Sequence, residues 1–527
     1  MQHLLRKLKE RGIMSSNANA GNGKKIGFFL GPALFILMLL LPVPEGMKPA
    51  AWKVAAVTVL MATWWITEAI PIPATSLLPI ALFPLLGVMK SNAATAPYAN
   101  HLIYLFMGGF FIAVTMERWN LHRRVAIHTI KAVGTSPAKM TLGFMIATAF
   151  LSMWVSNTAT TMMMVPIGLA VVQQATGFDA EALRAHSSDK GSQSINFGKG
   201  LMLGIAYAAS MGGVATIIGT PPNTVMVGMV EKMFGVQIGF AQWMMFGVPL
   251  SVIMIAICWV LLTRILFSTG DMELAGGAAI IDQELEKLGP MKKEEKRIVL
   301  TGCFVAAFWL ARGFLKKAVF VKAVMPHFGM VADATIGILG ALLLFCIPSN
   351  FKKGEFLLDR KTAVKIPWDV ILLFGGGLAI ANGFAKTGLA AYIASQLGAL
   401  EGASILVFVG AVVLITIFLT EITSNTATAT LLVPIMGAAA IAMGVHPFAT
   451  IIGACVAASF AFMLPVATPP NAVIFGSGCV TIKQMASAGL WLNIIGAVLI
   501  TAFTTYLLPV LWGIDLNVLP SWAVMPQ

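Results

Sequence analysis

The chain has 527 residues, of which 58% are hydrophobic and only 11% charged, with a formal net charge of +13 at pH 7 and a mean hydropathy of +0.86. That is too little charge to cover a water-soluble surface, so composition excludes a soluble globular protein. The basic residues sit in short segments between apolar runs, which is the loop bias of a polytopic membrane protein and not a nucleic-acid-binding face.

At the N-terminus, Arg6, Lys7, Lys9, Arg11, Lys24 and Lys25 precede the first apolar run. That lead is too long and too charged for a cleavable signal, so residues 1–25 read as a cytoplasmic tail. Spans follow near 27–43, 54–70, 73–89 and 101–117. The next apolar stretch, 139–173, is too long for one span and carries Ser156-Asn157-Thr158 in its middle. It reads as a re-entrant helical hairpin, entering and leaving on one side. Then come 200–234, interrupted by Thr220-Pro221-Pro222-Asn223, and 241–267, 298–313, 328–347 and 367–385. A second overlong stretch, 403–442, carries Ser424-Asn425-Thr426 and reads as a second hairpin. The last spans are 449–477, interrupted by Thr468-Pro469-Pro470-Asn471, and 486–512. The fold expected is an all-α polytopic membrane protein of about eleven spans plus two hairpins. Long apolar blocks argue against a β-barrel.

The halves repeat. Ser156-Asn157-Thr158-Ala159-Thr160 recurs as Ser424-Asn425-Thr426-Ala427-Thr428, an offset of 268 residues that also joins Val165-Pro166 to Val433-Pro434. The same offset carries Leu105-Phe106 with Gly108-Gly109 onto Leu373-Phe374 with Gly376-Gly377. With the tail inside, the basic segments 118–139, 268–297 and 352–365 and Lys483 fall inside too. Segment 312–326, with Arg312, Lys316, Lys317 and Lys322, falls outside against the bias, and the C-terminus is expected outside. Five spans separate the hairpins, so the repeats are inverted. Polar helix breaks at matching places in inverted halves mark the central site of an alternating-access transporter.

The chemistry follows from those breaks. Ser, Asn and Thr cap helices, and a half-helix starting at a hairpin tip aims free N–H groups and its positive dipole end at the centre. Carboxylate oxygens suit those donors. The prolines stop the preceding half-helix and leave carbonyls exposed at Gly219 and Ala467. Carbonyl, hydroxyl and amide oxygens together form the hard shell an alkali cation takes, giving two cation cages beside one anion site. Glu421, three residues before Ser424, reads either as a group tuning a cation site or as a buried structural carboxylate. Glu68 reads as a span end, Asp333, Asp369 and Lys386 as interface residues, and Trp64, Trp65 and Trp119 as interface anchors. Gly108-Gly109 and Gly375-Gly376-Gly377 read as close helix-packing points. The cysteines Cys258, Cys303, Cys346, Cys455 and Cys479 show no metal or disulfide spacing. No phosphate-binding loop and no intramembrane cluster of catalytic groups appear, so neither an ATP-driven pump nor an enzyme is expected.

At these motifs the chain resembles the divalent-anion/sodium symporters, the INDY-type di- and tricarboxylate transporters. Trp64-Trp65-Ile66-Thr67-Glu68-Ala69-Ile70-Pro71, Glu286-Lys287-Leu288-Gly289-Pro290-Met291 and Ile366-Pro367-Trp368-Asp369 are similar to that family's phrases as well. The resemblance implies a first sodium site at Ser152, Ser156, Asn157 and Gly219. It implies a second at Thr420, Thr423, Asn425 and Ala467, with Thr423 acting through its carbonyl; a third cation is implied by the family alone. It places substrate carboxylates at Ser156, Asn157, Thr158, Thr220 and Pro221, and at Ser424, Asn425, Thr426, Thr468 and Pro469. It further implies a homodimer in the cell membrane, with a scaffold (26–134 and 268–388) and a transport domain (135–267 and 389–527) that moves as an elevator. The activity implied is sodium-coupled import of C4-dicarboxylates such as succinate, malate and fumarate. A sodium-independent exchanger, or a citrate or sulfate carrier, stands as the alternative.

Overall fold

The computed structural model describes residues 17–134, 136–186, 192–270, 272, 277–316, 318–396 and 404–523. Residues 1–16 of the expected tail, with Arg6, Lys7, Lys9 and Arg11, lie outside the described residues, as does Lys317. Apart from a two-stranded antiparallel ribbon (β1, Pro348–Asn350; β2, Glu355–Phe356) the described regular structure is helical.

The chain opens with α1 (Asn17–Leu40) packed along α2 (Pro49–Thr67). Glu68 ends α2 in the left-handed region (φ 48°) and pairs with Lys24 at 3.3 Å, a span end as expected. Two short pieces form α3 (Ile72–Leu85). The first repeat continues through α4 (His101–Arg118), α5 (Leu121–Val133), α6 (Pro137–Ser152), α7 (Asn157–Thr176), α8 (Gln193–Val214), α9 (Pro221–Phe234) and α10 (Phe240–Val260). After α11 (Gly277–Leu288), α12 (Lys293–Leu315) and α13 (Asp333–Cys346), the same series recurs. It runs α14 (Trp368–Thr387), α15 (Leu389–Gln396), α16 (Ile405–Thr420), α17 (Asn425–Ala442), α18 (Pro447–Ala457), α19 (Pro469–Gly476) and α20 (Ile482–Ala502).

Both overlong stretches are helical hairpins: α6 and α7 meet at the turn before Asn157, α16 and α17 at the turn before Asn425. The interrupted spans are broken helices, α8 with α9 and α18 with α19. Among the described residues eight helices are long and apolar enough to cross a bilayer, fewer than the eleven spans expected. The expected spans missing from that set are α3, α13 and the two broken helices, and one of the eight is the hairpin arm α17.

Two amphipathic helices are among the elements absent from the sequence reading. Helices α5 and α11 lie where charged loops were expected, because a charge count ignores periodicity. In α5, Leu121, Ala126, Ile127 and Ile130 are buried on one face, while Arg123 and Lys131 reach α11 at Glu284 and Asp282. Burial alone would raise the Glu284 carboxyl, but hydrogen bonds from Lys287 and Arg123 outweigh it and hold it below the usual range. Arg124 is itself buried and ties α5 to the start of α12. Its Nε donates to Glu295 at 2.8 Å, and its other nitrogens donate to the carbonyls of Gly289 (2.9 Å), Leu288 (3.2 Å) and Pro290 (3.4 Å).

One expectation about a surface residue is corrected. Trp65 is fully buried and donates to Ile72 O at 3.4 Å, a core residue and not an interface anchor. Asp333, read as an interface residue, pairs with Arg312 at 2.5 Å, and Arg312 also donates to Val331 O at 3.1 Å. The glycines do mark close crossings. A Cβ on Gly108 would stand 2.5 Å from the Gly337 backbone of α13, and one on its counterpart Gly376 would stand 2.5 Å from Ser76 O of α3.

Candidate functional site

The two hairpins and the two broken helices pack against one another. Helix α7 packs on α19 and α9 packs on α17, so each hairpin's second arm lies against the other repeat's half-helix. The broken helices also touch, with Cys455 Sγ 3.8 Å from Asn223 Oδ1.

In the first repeat, Ser152 on the last turn of α6 donates from Oγ to Ala209 O of α8 at 2.7 Å. One end of the Asn157 carboxamide lies 2.6 Å from that same Oγ, 3.1 Å from Ala209 O and 3.2 Å from Gly219 O. A hydroxyl has one hydrogen. With the amide oxygen in that place, one hydrogen is left for three acceptor oxygens; with the amide nitrogen there, its two hydrogens close the shell. In the second repeat the geometry recurs: Thr420 Oγ1 lies 2.8 Å from Asn425 Oδ1 and 2.9 Å from Ala458 O. Again one hydrogen faces two acceptors. With the amide oxygen turned inward each cluster is surplus in oxygen lone pairs, carries no formal charge and suits a hard monovalent cation. Among the described residues no three His, Cys, Asp or Glu side chains gather, so a divalent-metal site of that kind is not built here.

The remaining expected residues fall at the ends of the same helices. Ser156, Thr220, Ser424 and Thr468 are the N-caps of α7, α9, α17 and α19, and Ser156 Oγ accepts from Ala159 N–H at 3.3 Å. Thr158 is half-buried, Thr426 and Thr468 are buried, and Pro221 and Pro469 open α9 and α19. Thr423 Oγ1 donates to Leu419 O at 2.8 Å and lies 2.6 Å from Thr428 Oγ1. Its hydroxyl is used inside the hairpin, which leaves its carbonyl for any cation. Ala467 is buried immediately before the α19 cap.

The sequence reading named the Thr-Pro-Pro-Asn phrases but gave their asparagines no role. Asn223 Nδ2 reaches Thr216 O (2.8 Å), Val214 O (3.1 Å) and Gly213 O (3.5 Å). Asn471 Nδ2 donates to Leu464 O (3.0 Å) and Ala461 O (3.1 Å), at corresponding places. Each asparagine staples its break closed from within. The last helix of each repeat then backs the break at a glycine. A Cβ on Gly247 of α10 would stand 2.8 Å from Val214 O, and one on Gly489 of α20 would collide with Phe462 O. These glycines share a 242-residue offset, a repeat signal that the sequence carried and the reading passed over.

The breaks differ in one respect. Helix α8 continues to Val214, whereas α18 stops at Ala457 and leaves residues 458–468 unwound. The freed N–H groups of Phe462 and Met463 donate to Glu421 Oε1 at 2.7 and 2.9 Å, and Leu464 N–H donates to Oε2 at 3.1 Å. Asn493 Nδ2 on α20 adds a fourth donor at 2.7 Å. Of the two readings of Glu421, the structural one matches this geometry: the carboxylate replaces the helix partners that the unwound strand has lost. Tyr207 of α8 donates to Phe462 O at 2.8 Å, so the first repeat also grips the second break.

A family model described as "Sodium:sulfate symporter transmembrane region" matches residues 24–514. A protein of Staphylococcus saprophyticus called "Sodium-dependent dicarboxylate transporter SdcS" is 44% identical over 502 residues, covering 95% of this chain and 94% of that one. The protein of the same name from Staphylococcus aureus is 45% identical over 496 residues, covering 94% and 93%. Among solved structures, the Alcanivorax borkumensis YdaH transporter matches with a TM-score of 0.52 at 12% identity, over 87% of this chain and 98% of that chain. Neisseria gonorrhoeae MtrF matches at 0.53 and 12%, over 89% and 97%. At that identity the two structures speak for the fold alone.

Proposed function

This chain belongs to the sodium:sulfate symporter family, and we propose that it is a sodium-coupled importer of C4-dicarboxylates such as succinate, malate and fumarate. It is a membrane transporter and not an enzyme. The relatives called sodium-dependent dicarboxylate transporters support the substrate and the coupling ion. The observation that carries the reading is the pair of matched oxygen clusters, Ser152–Asn157–Ala209 and Thr420–Asn425–Ala458.

Those clusters supply a physical route to coupling. Without a cation, the Asn157 amide turns its N–H groups inward and closes the shell by itself. A sodium ion draws the amide oxygen inward instead, and the N–H groups then swing to the other side, toward the cap of α7. There they join the free N–H groups of the helix N-termini in receiving a substrate carboxylate. Asn425 does the same in the second repeat. Sodium binding thus prepares the anion site, and an anion without sodium meets donors turned away from it.

Symport also satisfies the electrical requirement. Moving a dianion into a negative interior is opposed by about 2.3 kcal/mol per charge per 100 mV. Two sodium ions neutralise that charge, and a third would make the potential a driving force. The two hairpins and broken helices would move as a transport domain against a scaffold holding a dimer contact, in the cell membrane, with the N-terminus cytoplasmic and the C-terminus outside.

The test is uptake of labelled succinate into proteoliposomes with and without an inward sodium gradient. Uptake that requires sodium and rises with an inside-negative potential is expected. Uptake that ignores sodium but requires internal dicarboxylate would make the protein an exchanger and remove the cation assignments.

A further inference from the structure

Phe106 and Phe374 stand at the 268-residue offset and touch, with ring centroids 6.3 Å apart and planes tilted by 33°. Ile103 and Ile371 are matched in the same way, and the four line one small apolar cavity with Val370, Pro221 and Val225. Matched side chains that touch each other lie on the pseudo-twofold axis between the repeats. An exchange of the two repeat conformations leaves that axis in place, so this ring pair faces the mobile half-helices in both states.

The half-helices meet the rings unequally. A Cβ on Gly228 of α9 would stand 2.8 Å from Phe374 Cζ and 3.1 Å from Leu378 Cδ2, so the Phe374 ring seats on a glycine. The counterpart of Gly228 is Gly476 of α19, at the 248-residue offset that also joins Pro221 to Pro469 and Val225 to Val473. Gly228 is buried, whereas Gly476 is exposed and, among the described residues, has nothing within 4 Å of where a Cβ would stand. Both are helical and neither has a positive φ, so no backbone conformation calls for glycine there. In a helix glycine is less stable than alanine, and at Gly476 nothing in this state offsets that.

We propose that Gly228 and Gly476 are two ring-sized notches used alternately: Gly228 receives Phe374 in the state described here, and Gly476 receives Phe106 after the transport domain has moved. The rings form the dry partition that the loaded site crosses, and each glycine lets a half-helix close on it. Ions meeting the partition would lose hydration with no replacement, which keeps the two sides separate. The inference rests on the alternating-access transporter reading above.

Gly476→Val is the discriminating variant, because its side chain enters open space in this state and overpacks only the other. Sodium-dependent succinate binding in detergent should stay within about twofold of the unsubstituted protein, while the maximal uptake rate falls about tenfold or more with KM nearly unchanged. Gly476→Ala should lie between. Unchanged uptake by Gly476→Val, with binding intact, would overturn the notch. Absence of sodium-dependent binding in the unsubstituted protein would overturn the transporter reading first, so the two failures are distinguishable. If the valine variant folds poorly, the pair Phe106→Cys with Gly476→Cys, with Cys303 and Cys346 replaced, carries the test. It should cross-link when sodium and succinate drive turnover, and no cross-link under turnover would overturn the proposal.

Discussion

Glu421 Oε1 lies 2.7 Å from Asn493 Nδ2, and both side chains are almost completely buried. The asparagine thereby aims the carboxylate at the three backbone N–H groups freed by the unwound strand. Met153 occupies the matching place in the first repeat, where the break is shorter and Thr216 bridges it to the hairpin: its hydroxyl donates to Met153 O at 2.6 Å and accepts from Gly219 N–H at 3.0 Å.

Glu421→Ala should therefore be among the most destabilising single changes in the chain. It leaves one buried and two partly buried N–H groups unpaired, each costing up to about 1–3 kcal/mol. A fall in thermal unfolding temperature in detergent, larger than for Met153→Ala, is the expected outcome; equal falls would mean the second break does not depend on the carboxylate.

Asn157→Ala and Asn425→Ala each remove an amide that serves both a cation cluster and a helix tip. Uptake should fall about tenfold or more, with the half-saturating sodium concentration raised and elution on size-exclusion unchanged. A sodium dependence that survives both substitutions would turn these amides into interhelical glue.

Gly108→Ala and Gly376→Ala press a methyl group against neighbouring backbone and should each destabilise the protein by about 1–3 kcal/mol. Gly302→Ala and Gly313→Ala are the controls, because among the described residues a Cβ at either place meets nothing within 4 Å. These should be neutral or stabilising by about 0.5–1 kcal/mol, as alanine replaces glycine within a helix. Melting curves of the four variants separate close packing from mere helicity.

Arg124→Lys keeps the charge but cannot reproduce a fork that serves Glu295 and three carbonyls at once. A loss of about 3 kcal/mol is expected from a broken buried pair, read as a lower melting temperature and easier proteolysis between α10 and α12.

His446 gives a pH dependence with a definite sign. It caps α18 by accepting from Phe448 N–H at 3.2 Å beneath the Trp522 ring, and burial pushes its imidazole down to about 4, opposed by nearby Asp515. The unfolded chain, with the ordinary value near 6.5, binds the proton more readily. Stability should thus be complete above about pH 6.5 and decline as the pH falls toward 4. His446→Asn retains a cap without titrating and should flatten the melting temperature across that interval.

Much of this protein was legible in one dimension. Long apolar blocks reveal the solvent, because a bilayer core leaves few places for charge. The paired Ser-Asn-Thr and Thr-Pro-Pro-Asn phrases reveal where helices stop, because proline and capping residues act on their own neighbours. What stayed hidden is amphipathic or relational: α5 and α11 were masked by charges that pair with each other, and Trp65 by a residue preference that burial overrode.

The tertiary structure alone decided which oxygen meets which. Ser152 and Ala209 are 57 residues apart, Thr420 and Ala458 are 38 apart, and no local rule brings either pair together. It also decided that Glu421 staples a strand, since a carboxylate's role depends on the donors that surround it. Gly228 and Gly476 look alike in sequence, and only packing shows that one holds a ring while the other stands open. Helix breaks arise from near neighbours along the chain; cages, staples and notches need contacts between segments that only folding assembles.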